Sequence, residues 1–251
     1  MKSKKYKAII CDLDGTLIPN GSKDLPSKKA TEIINKASKI IHFGIATARP
    51  LFYTKHVVNH LRLSGPSIIH GGAQIIDFTS GKILKEQRIP SEVILKVYDI
   101  TKKLNLPFFI DEETETIAMP TNWLPHDLLG AYFPSITLKQ AKLLEDELSK
   151  IPDISSHRIP DWRKKENIDV DINHYSVGKQ YAILEVAEIL GIKTDEIIAV
   201  GDGYNDFPLL MACGLKVAMG NAVQELKAIA DYIALPVEDD GIVDVIEKFI
   251  L

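Results

Sequence analysis

The stretch "YKAIICDLDGT", residues Tyr6 to Thr16, begins with an apolar run and ends with two aspartates. A short apolar run bounded by turn-forming residues predicts a fully buried strand over Tyr6–Cys11. Asp12 and Asp14 then stand one residue apart, so their carboxylates point the same way while the backbone stays extended. Because two like charges at one strand end repel each other, we expect a cation or a shared proton to hold them there.

The composition is that of an ordinary globular protein, with 45% hydrophobic and 25% charged residues in a chain of 251. The net charge of -4 and the pI near 6.0 argue against a nucleic-acid-binding surface, which needs concentrated positive charge. No apolar run approaches the roughly 18 residues of a membrane helix, and the N-terminus lacks a signal-peptide cleavage pattern. Cys11 and Cys213 lie in apolar contexts, which favours free thiols in a reducing cytoplasm. We therefore expect a cytoplasmic protein that binds neither nucleic acid nor membranes, with its oligomeric state open.

Strands and helices alternate in the first and last thirds of the chain. A helix is predicted over Pro26–Ser38, the strand "IHFGIATAR" ends at Thr47, and "PSIIHGGAQII" reads as a third strand. The alternation resumes near the C-terminus with a predicted helix over Lys179–Leu190 and the predicted strand "EIIAVG". The alternation predicts an α/β fold with a doubly wound, Rossmann-like parallel sheet covered on both faces.

The middle of the chain has a different pattern. A strand over Ile83–Ile89 and a helix over Ser91–Leu104 precede short strands around "LPFFID" and "ETIAMP", with the acidic Asp111–Thr116 segment as the hairpin tip. A helix at Leu138–Lys150 and a strand pair ending at "NIDVDIN" follow. Strand pairs with helices beside them predict an inserted α+β cap over residues 83–173, within a core of residues 1–82 and 174–251.

The predicted strand ends carry an unusual set of polar groups. Ligands gather at the carboxyl ends of strands in open parallel sheets, and those ends hold Asp12, Asp14, Thr47, Asp202, Asn205 and Asp206, with Lys179 opening a helix nearby. Four clustered carboxylates would resist ionisation and repel an anionic substrate unless a hard divalent cation were bound. Mg²⁺ favours a few carboxylate oxygens with waters and phosphate. Lys179 and the Thr47 hydroxyl would then hold a phosphoryl group, a charge environment suited to phosphoryl transfer.

These motifs, "DLDGT", Thr47, Lys179 and "GDGYND", stand in the order typical of the haloacid dehalogenase superfamily, which the chain resembles. The insert of roughly 90 residues between the second and third motifs is similar to that of the Cof-type branch with a C2 cap, of the C2b kind. "VAMGNA" and "ADYIALPVEDDGIVDVI" also resemble that branch. One departure lies at Thr47-Ala48-Arg49, where members commonly have Thr-Gly-Arg; the hydroxyl is kept.

The resemblance implies a role for each site residue. Asp12 would be the nucleophile that forms an aspartyl phosphate, and Asp14 the general acid and base. Mg²⁺ would lie between Asp12, the backbone carbonyl of Asp14 and Asp202. Asn205 and Asp206 would complete the metal site by orienting its ligands or Lys179. The substrate phosphate would be held by a set from the second to fourth motifs: Thr47, Ala48, Arg49, Lys179 and Asn205.

The implied activity is Mg²⁺-dependent hydrolysis of phosphomonoesters of small metabolites under a mobile cap that excludes water. Sugar phosphates are the first expectation, followed by phosphoglycolate-like acids and cofactor phosphates such as pyridoxal phosphate. A phosphotransferase or phosphomutase using the same aspartyl phosphate is one alternative. A non-enzymatic receiver-like module is another, although such modules need no cap of this size.

Overall fold

The computed structural model of the protein describes residues 5–22, 24–161, 163–164 and 166–251. The chain divides into two compact units, one formed by Met1–Lys85 with Gly178–Leu251 and the other by Glu86–Val177. Both divisions fall a few residues beyond the predicted boundaries at residues 82 and 173. Each unit has its own hydrophobic core.

Short strands and helices make up both units. The described strands are β1 (Ala8–Cys11), β2 (His42–Ile45), β3 (Pro66–Ile69), β4 (Gln74–Asp77), β5 (Lys82–Glu86), β6 (Phe109–Asp111), β7 (Thr116–Ala118), β8 (Ala131–Thr137), β9 (Ile154–Pro160), β10 (Asn167–His174), β11 (Ile197–Gly201), β12 (Leu215–Ala218) and β13 (Tyr232–Ile233). The described α-helices are α1 (Lys28–Ala37), α2 (Leu51–Leu61), α3 (Ser91–Leu104), α4 (Leu138–Leu148), α5 (Lys179–Leu190), α6 (Phe207–Ala212), α7 (Gln224–Ile229) and α8 (Gly241–Phe249).

The first unit is built on a parallel sheet with the strand order β13-β12-β11-β1-β2. Every residue of β1 and β11 is buried, which requires cover on both faces of the sheet. Around it, α1 packs beside α8, and α5 packs against α6 and β3. The predicted doubly wound core is confirmed. Because these strands are parallel, the carboxyl ends of β1, β2 and β11 share one edge.

The segment predicted as a third strand is a hairpin. β3 is followed by a 3₁₀ turn over His70–Gly72, and β4 returns antiparallel to β3. All three turn residues have positive φ, of 49°, 63° and 112°, a backbone conformation that ends an extended strand. The strand predicted over Ile83–Ile89 is the shorter β5, which pairs with β4.

The second unit is an α+β layer on an antiparallel sheet ordered β7-β6-β8-β10-β9. Phe133, Val170 and Ile172 are fully buried in a core shared with α3 and α4. Asp169 and Asp171 alternate with the apolar residues of β10 and point to the opposite face. This is the predicted inserted α+β cap with its own sheet. No described helix combines the length and the hydrophobicity needed to span a bilayer.

Candidate active site

The edge at the carboxyl ends of β1, β2 and β11 carries buried polar residues. Asp12 and Asp202 directly follow β1 and β11, and Thr47 lies two residues beyond β2. Lys179 is the first residue of α5 in the same unit. Only 1% of Thr47 and 3% of Lys179 are exposed. Burying polar groups is costly unless they are paired, so these side chains need partners within the fold.

Lys179 joins two carboxylates from distant parts of the chain. Its Nζ lies 2.7 Å from Oδ1 of Asp12 and 2.6 Å from Oδ1 of Asp206. Asp12 is 5% exposed and Asp206 is fully buried. These are charge-assisted hydrogen bonds in a dry environment, where they fix geometry most firmly.

Asp206 holds Lys179 and is itself held by the backbone after β11. Its Oδ2 accepts hydrogen bonds from the backbone N–H groups of Asp202 and Gly203, both at 3.0 Å, while Oδ1 is occupied by Lys179. Both carboxylate oxygens are therefore engaged by the protein. Asp206 therefore fixes the position of Lys179 and of the backbone turn after β11, and its predicted place in the metal site stays a prediction.

Asp202 is held by residues of the turn after β1. The Asn20 amide donates to its Oδ2 at 3.2 Å, and the Thr16 hydroxyl donates to its Oδ1 at 3.4 Å. Gly15, at φ +73°, allows this approach, because a Cβ there would lie 2.1 Å from Oδ2 of Asp202. Asn20 and Thr16 were not predicted as site residues. Their position within ten residues of the paired aspartates was the signal that could have identified them.

Burial and neighbouring charges shift the pKa values of Asp12, Asp202 and Lys179. Burial, reinforced by the neighbouring Asp206 carboxylate, raises the pKa of Asp12 well above its usual range. The same two causes raise the pKa of Asp202 to about 7. Burial lowers the pKa of Lys179, but the carboxylates of Asp12 and Asp206 outweigh it and the net shift is upward. The edge therefore holds more negative charge than one ammonium group balances.

The acids at this edge fit a hard divalent cation. Asp12, Asp202 and Asp206 each offer a carboxylate oxygen, and these atoms lie within 4.8 Å of one another. An all-oxygen donor set suits Mg²⁺ or Ca²⁺, and not a metal that prefers thiolate or imidazole. A bound cation would also offset the Asp206 carboxylate, which adds to burial in raising the pKa values of Asp12 and Asp202.

Asp14 is paired with Arg49. Arg49 Nε donates to Oδ2 of Asp14 at 2.7 Å, and Nη2 donates to Oδ1 at 2.5 Å. Nη2 also donates to the backbone carbonyl of Ser22 at 2.8 Å. Arg49 was predicted as a substrate-binding residue, and the structure brings its guanidinium to the predicted general acid.

Three further residues were predicted to bind the substrate phosphate: Thr47, Ala48 and Asn205. Thr47 accepts a hydrogen bond at its hydroxyl from the Arg49 backbone N–H at 3.1 Å, and its carbonyl accepts one from Gly71 N–H at 2.9 Å. Ala48 is half-buried between Thr47 and Arg49. Asn205 lies in the 3₁₀ turn before α6 and is exposed. Their contacts with substrate stay predictions.

The chain matches a known protein family and several curated proteins over nearly its whole length. The family described as haloacid dehalogenase-like hydrolase matches residues 9–127 and 135–246. A Bacillus subtilis 5-amino-6-(5-phospho-D-ribitylamino)uracil phosphatase is 26% identical, over 98% of this chain and 96% of that protein. A Methanopyrus kandleri phosphoglycolate phosphatase is 27% identical, over 96% of each chain.

The fold of the chain is also similar to that of solved structures. A haloacid dehalogenase-like hydrolase from Bacteroides thetaiotaomicron superposes with a TM-score of 0.82 at 25% identity, over 97% of this chain and 99% of that one. The family match covers the motifs quoted from the sequence, at Asp12–Thr16, Thr47, Lys179 and Gly201–Asp206. The chain belongs to the haloacid dehalogenase-like hydrolase family.

Proposed function

We propose that the protein is a Mg²⁺-dependent phosphatase that hydrolyses phosphomonoesters of small metabolites through an aspartyl phosphate on Asp12. One observation carries the proposal: the Asp12 carboxylate is buried at a strand end, held by Lys179, with two further aspartates close by. The phosphatases among the matched relatives support the same reaction. The compartment that we propose is the reducing cytoplasm, since Cys11 and Cys213 are both free and buried.

The first half of the reaction forms the covalent intermediate. A carboxylate oxygen of Asp12 attacks phosphorus, and the bond from phosphorus to the leaving-group oxygen breaks. That oxygen takes a proton from Asp14 and departs as an alcohol. Lys179 holds the Asp12 carboxylate through its 2.7 Å hydrogen bond and supplies positive charge near the phosphoryl oxygens.

The second half releases phosphate. Asp14, now ionised, takes a proton from a water molecule, whose oxygen attacks the phosphorus of the aspartyl phosphate. The bond from phosphorus to Asp12 breaks, which regenerates the carboxylate and gives inorganic phosphate. The net reaction consumes one water for each ester bond broken. Asp14 has exchanged the roles of acid and base between the two halves.

The metal that we propose is held by Asp12 and Asp202, with the backbone carbonyl of Asp14. When bound, Mg²⁺ offsets the negative charge of the acids and of the phosphoryl oxygens. Thr16 and Asn20 hold Asp202 in place for it. Asp206 contributes by fixing Lys179 and the backbone of the turn after β11.

The substrate class that we propose is the sugar phosphates. One matched relative is named for a phosphoribityl substrate and another for phosphoglycolate, so a polyol phosphate and a small acid phosphate are the informative pair. A panel of sugar phosphates, phosphoglycolate and pyridoxal phosphate, assayed for phosphate release with Mg²⁺, separates these classes. The highest kcat/KM on a sugar phosphate supports the proposal, whereas a preference for phosphoglycolate overturns the substrate class.

The activity itself is tested on p-nitrophenyl phosphate. Wild-type protein should release phosphate with Mg²⁺ and lose this activity with a chelator. Asp12→Asn should abolish turnover, while Asp195→Asn, at an exposed aspartate of the same unit, should keep it. Turnover by Asp12→Asn at the wild-type rate would overturn the proposed nucleophile.

A further inference from the structure

The guanidinium of Arg49 binds the carboxylate of Asp14 through two hydrogen bonds. Its Nε and Nη2 bind the two oxygens of Asp14 at 2.7 Å and 2.5 Å, so both acceptor atoms of Asp14 face the same fork. The two side chains are 18% and 28% exposed. A bidentate pair of this kind fixes the plane of the carboxylate as well as its distance, which a single hydrogen bond does not.

The backbone of Arg49 is also anchored. Its N–H donates to the Thr47 hydroxyl at 3.1 Å, and its carbonyl accepts from the His70 N–H at 3.1 Å. Nη2 reaches the Ser22 carbonyl at 2.8 Å, in the turn that follows the paired aspartates. Arg49 thus ties the segment after β2 to the segment after β1, with Asp14 between them.

We propose that Arg49 is the positioning residue of Asp14, and that its main contribution to catalysis passes through that carboxylate and not through the substrate. This inference rests on the proposed function, in which Asp14 transfers protons in both halves of the reaction. Proton transfer requires hydrogen-bond reach in a defined direction. The fork fixes the plane of the carboxylate, and each oxygen keeps a second lone pair outside the fork for the proton that Asp14 gives and takes. A guanidinium that binds both oxygens of Asp14 lacks Nε and Nη2 for a phosphate, so the two roles for Arg49 compete.

The choice of arginine gives a specific expectation. Lysine at this position keeps the charge but presents a single point donor, and it cannot hold both carboxylate oxygens in one plane. Arg49→Lys should therefore lower kcat about as much as Arg49→Gln, roughly 10²-fold, the low end of what a positioned acid–base group contributes. KM should not rise, because the substrate contacts remain. Arg62→Gln, at an exposed arginine of the same unit, is the matched control and should keep wild-type kinetics.

The decisive experiment is a double-mutant cycle on p-nitrophenyl phosphate turnover. If Arg49 acts through Asp14, Arg49→Gln should lower kcat in the wild-type protein but have almost no further effect in Asp14→Asn. The inference is overturned if Arg49→Gln lowers kcat by the same factor in Asp14→Asn as in the wild-type protein. It is also overturned if Arg49→Gln raises KM with kcat unchanged. Either result would assign Arg49 to the substrate. Wild-type activity of Asp14→Asn would instead remove the proposed role of Asp14, so the two failures are distinguishable. Circular dichroism and retained Mg²⁺-induced stabilisation establish that each variant is folded.

Discussion

Lys179 Nζ lies 2.7 Å from Oδ1 of Asp12, although the two residues are 167 positions apart in the sequence. The same nitrogen binds Asp206 at 2.6 Å, so two buried carboxylates share one buried ammonium. Removing one partner of a buried ion pair leaves an uncompensated charge, which costs about 3–5 kcal/mol. The contact is therefore structural as well as chemical.

Lys179→Met should lower the free energy of unfolding by about 3 kcal/mol or more and abolish turnover, because both acids lose their counter-charge. Urea unfolding followed by circular dichroism measures the first effect. Lys193→Met, at an exposed lysine of the same unit, should change stability by less than about 0.5 kcal/mol. A Lys179 variant as stable as this control would contradict the charge balance described for the site.

Gly15→Ala should disturb the acid cluster, because the added Cβ would lie 2.1 Å from Oδ2 of Asp202. Gly81→Ala is a close control, since φ is +71° there and +73° at Gly15, while nothing lies within 4 Å of a Cβ at Gly81. Left-handed strain alone costs about 1–2 kcal/mol. We expect both variants to lose at least that much stability, and only Gly15→Ala to lose affinity for Mg²⁺ in calorimetric titration. Equal Mg²⁺ affinity in the two variants would contradict the contact.

Mg²⁺ should stabilise the wild-type protein against heat. Ligand at 100 times its Kd adds about 2.7 kcal/mol to a protein that binds it only when folded. Asp202→Asn should lose most of this stabilisation, whereas Asp195→Asn should keep it. Differential scanning fluorimetry with and without Mg²⁺ measures both, and an undiminished shift in Asp202→Asn would place the cation elsewhere.

Asp171 should make the second unit less stable as pH rises. Burial, then the Asp111 carboxylate, raise the pKa of Asp171 to about 7, against about 3.9 in an unfolded chain. Between those values the unfolded chain releases a proton that the folded chain keeps, so stability falls with rising pH and the loss is complete above about pH 7. Because the side chain is only half-buried, we expect Asp171→Asn to recover roughly 2 kcal/mol at pH 8 and almost nothing at pH 4.

Tryptophan fluorescence during urea unfolding reports on this unit, since Trp123 and Trp162 both fall within residues 86–177; Trp162 lies outside the described residues. Asp146→Asn, at an exposed aspartate of α4, should follow the wild-type pH dependence. Parallel pH curves for Asp171→Asn and the wild type would show that the ionised carboxylate is not penalised.

Local pattern was enough to predict many elements. The helices over Ser91–Leu104 and Lys179–Leu190 have the predicted bounds, because apolar residues recur there at the helical period. The Asp111–Thr116 hairpin tip is also present, between β6 and β7. The hairpin of β3 and β4 was missed, because "HGG" marks a strand end without specifying that the chain reverses.

For the candidate site too, the sequence predicted part of the arrangement and not all of it. Residue types and their positions at strand ends predicted which groups share one edge, but not which atoms bind each other. The pairing of Arg49 with Asp14, and of Asn20 with Asp202, depends on side-chain directions and on a left-handed Gly15 that no periodicity encodes. Contacts between segments of this kind need three-dimensional structure.

The identity of the nucleophile is tested most directly by trapping the intermediate. In Asp14→Asn, p-nitrophenyl phosphate should still phosphorylate the enzyme, because p-nitrophenolate leaves without protonation, while hydrolysis of the intermediate is slowed. Borohydride reduction of the acid-quenched protein converts an aspartyl phosphate to homoserine, which peptide mass spectrometry locates. We predict homoserine at position 12 and at no other aspartate. Modification at another aspartate, or turnover with no reducible intermediate, would contradict the account.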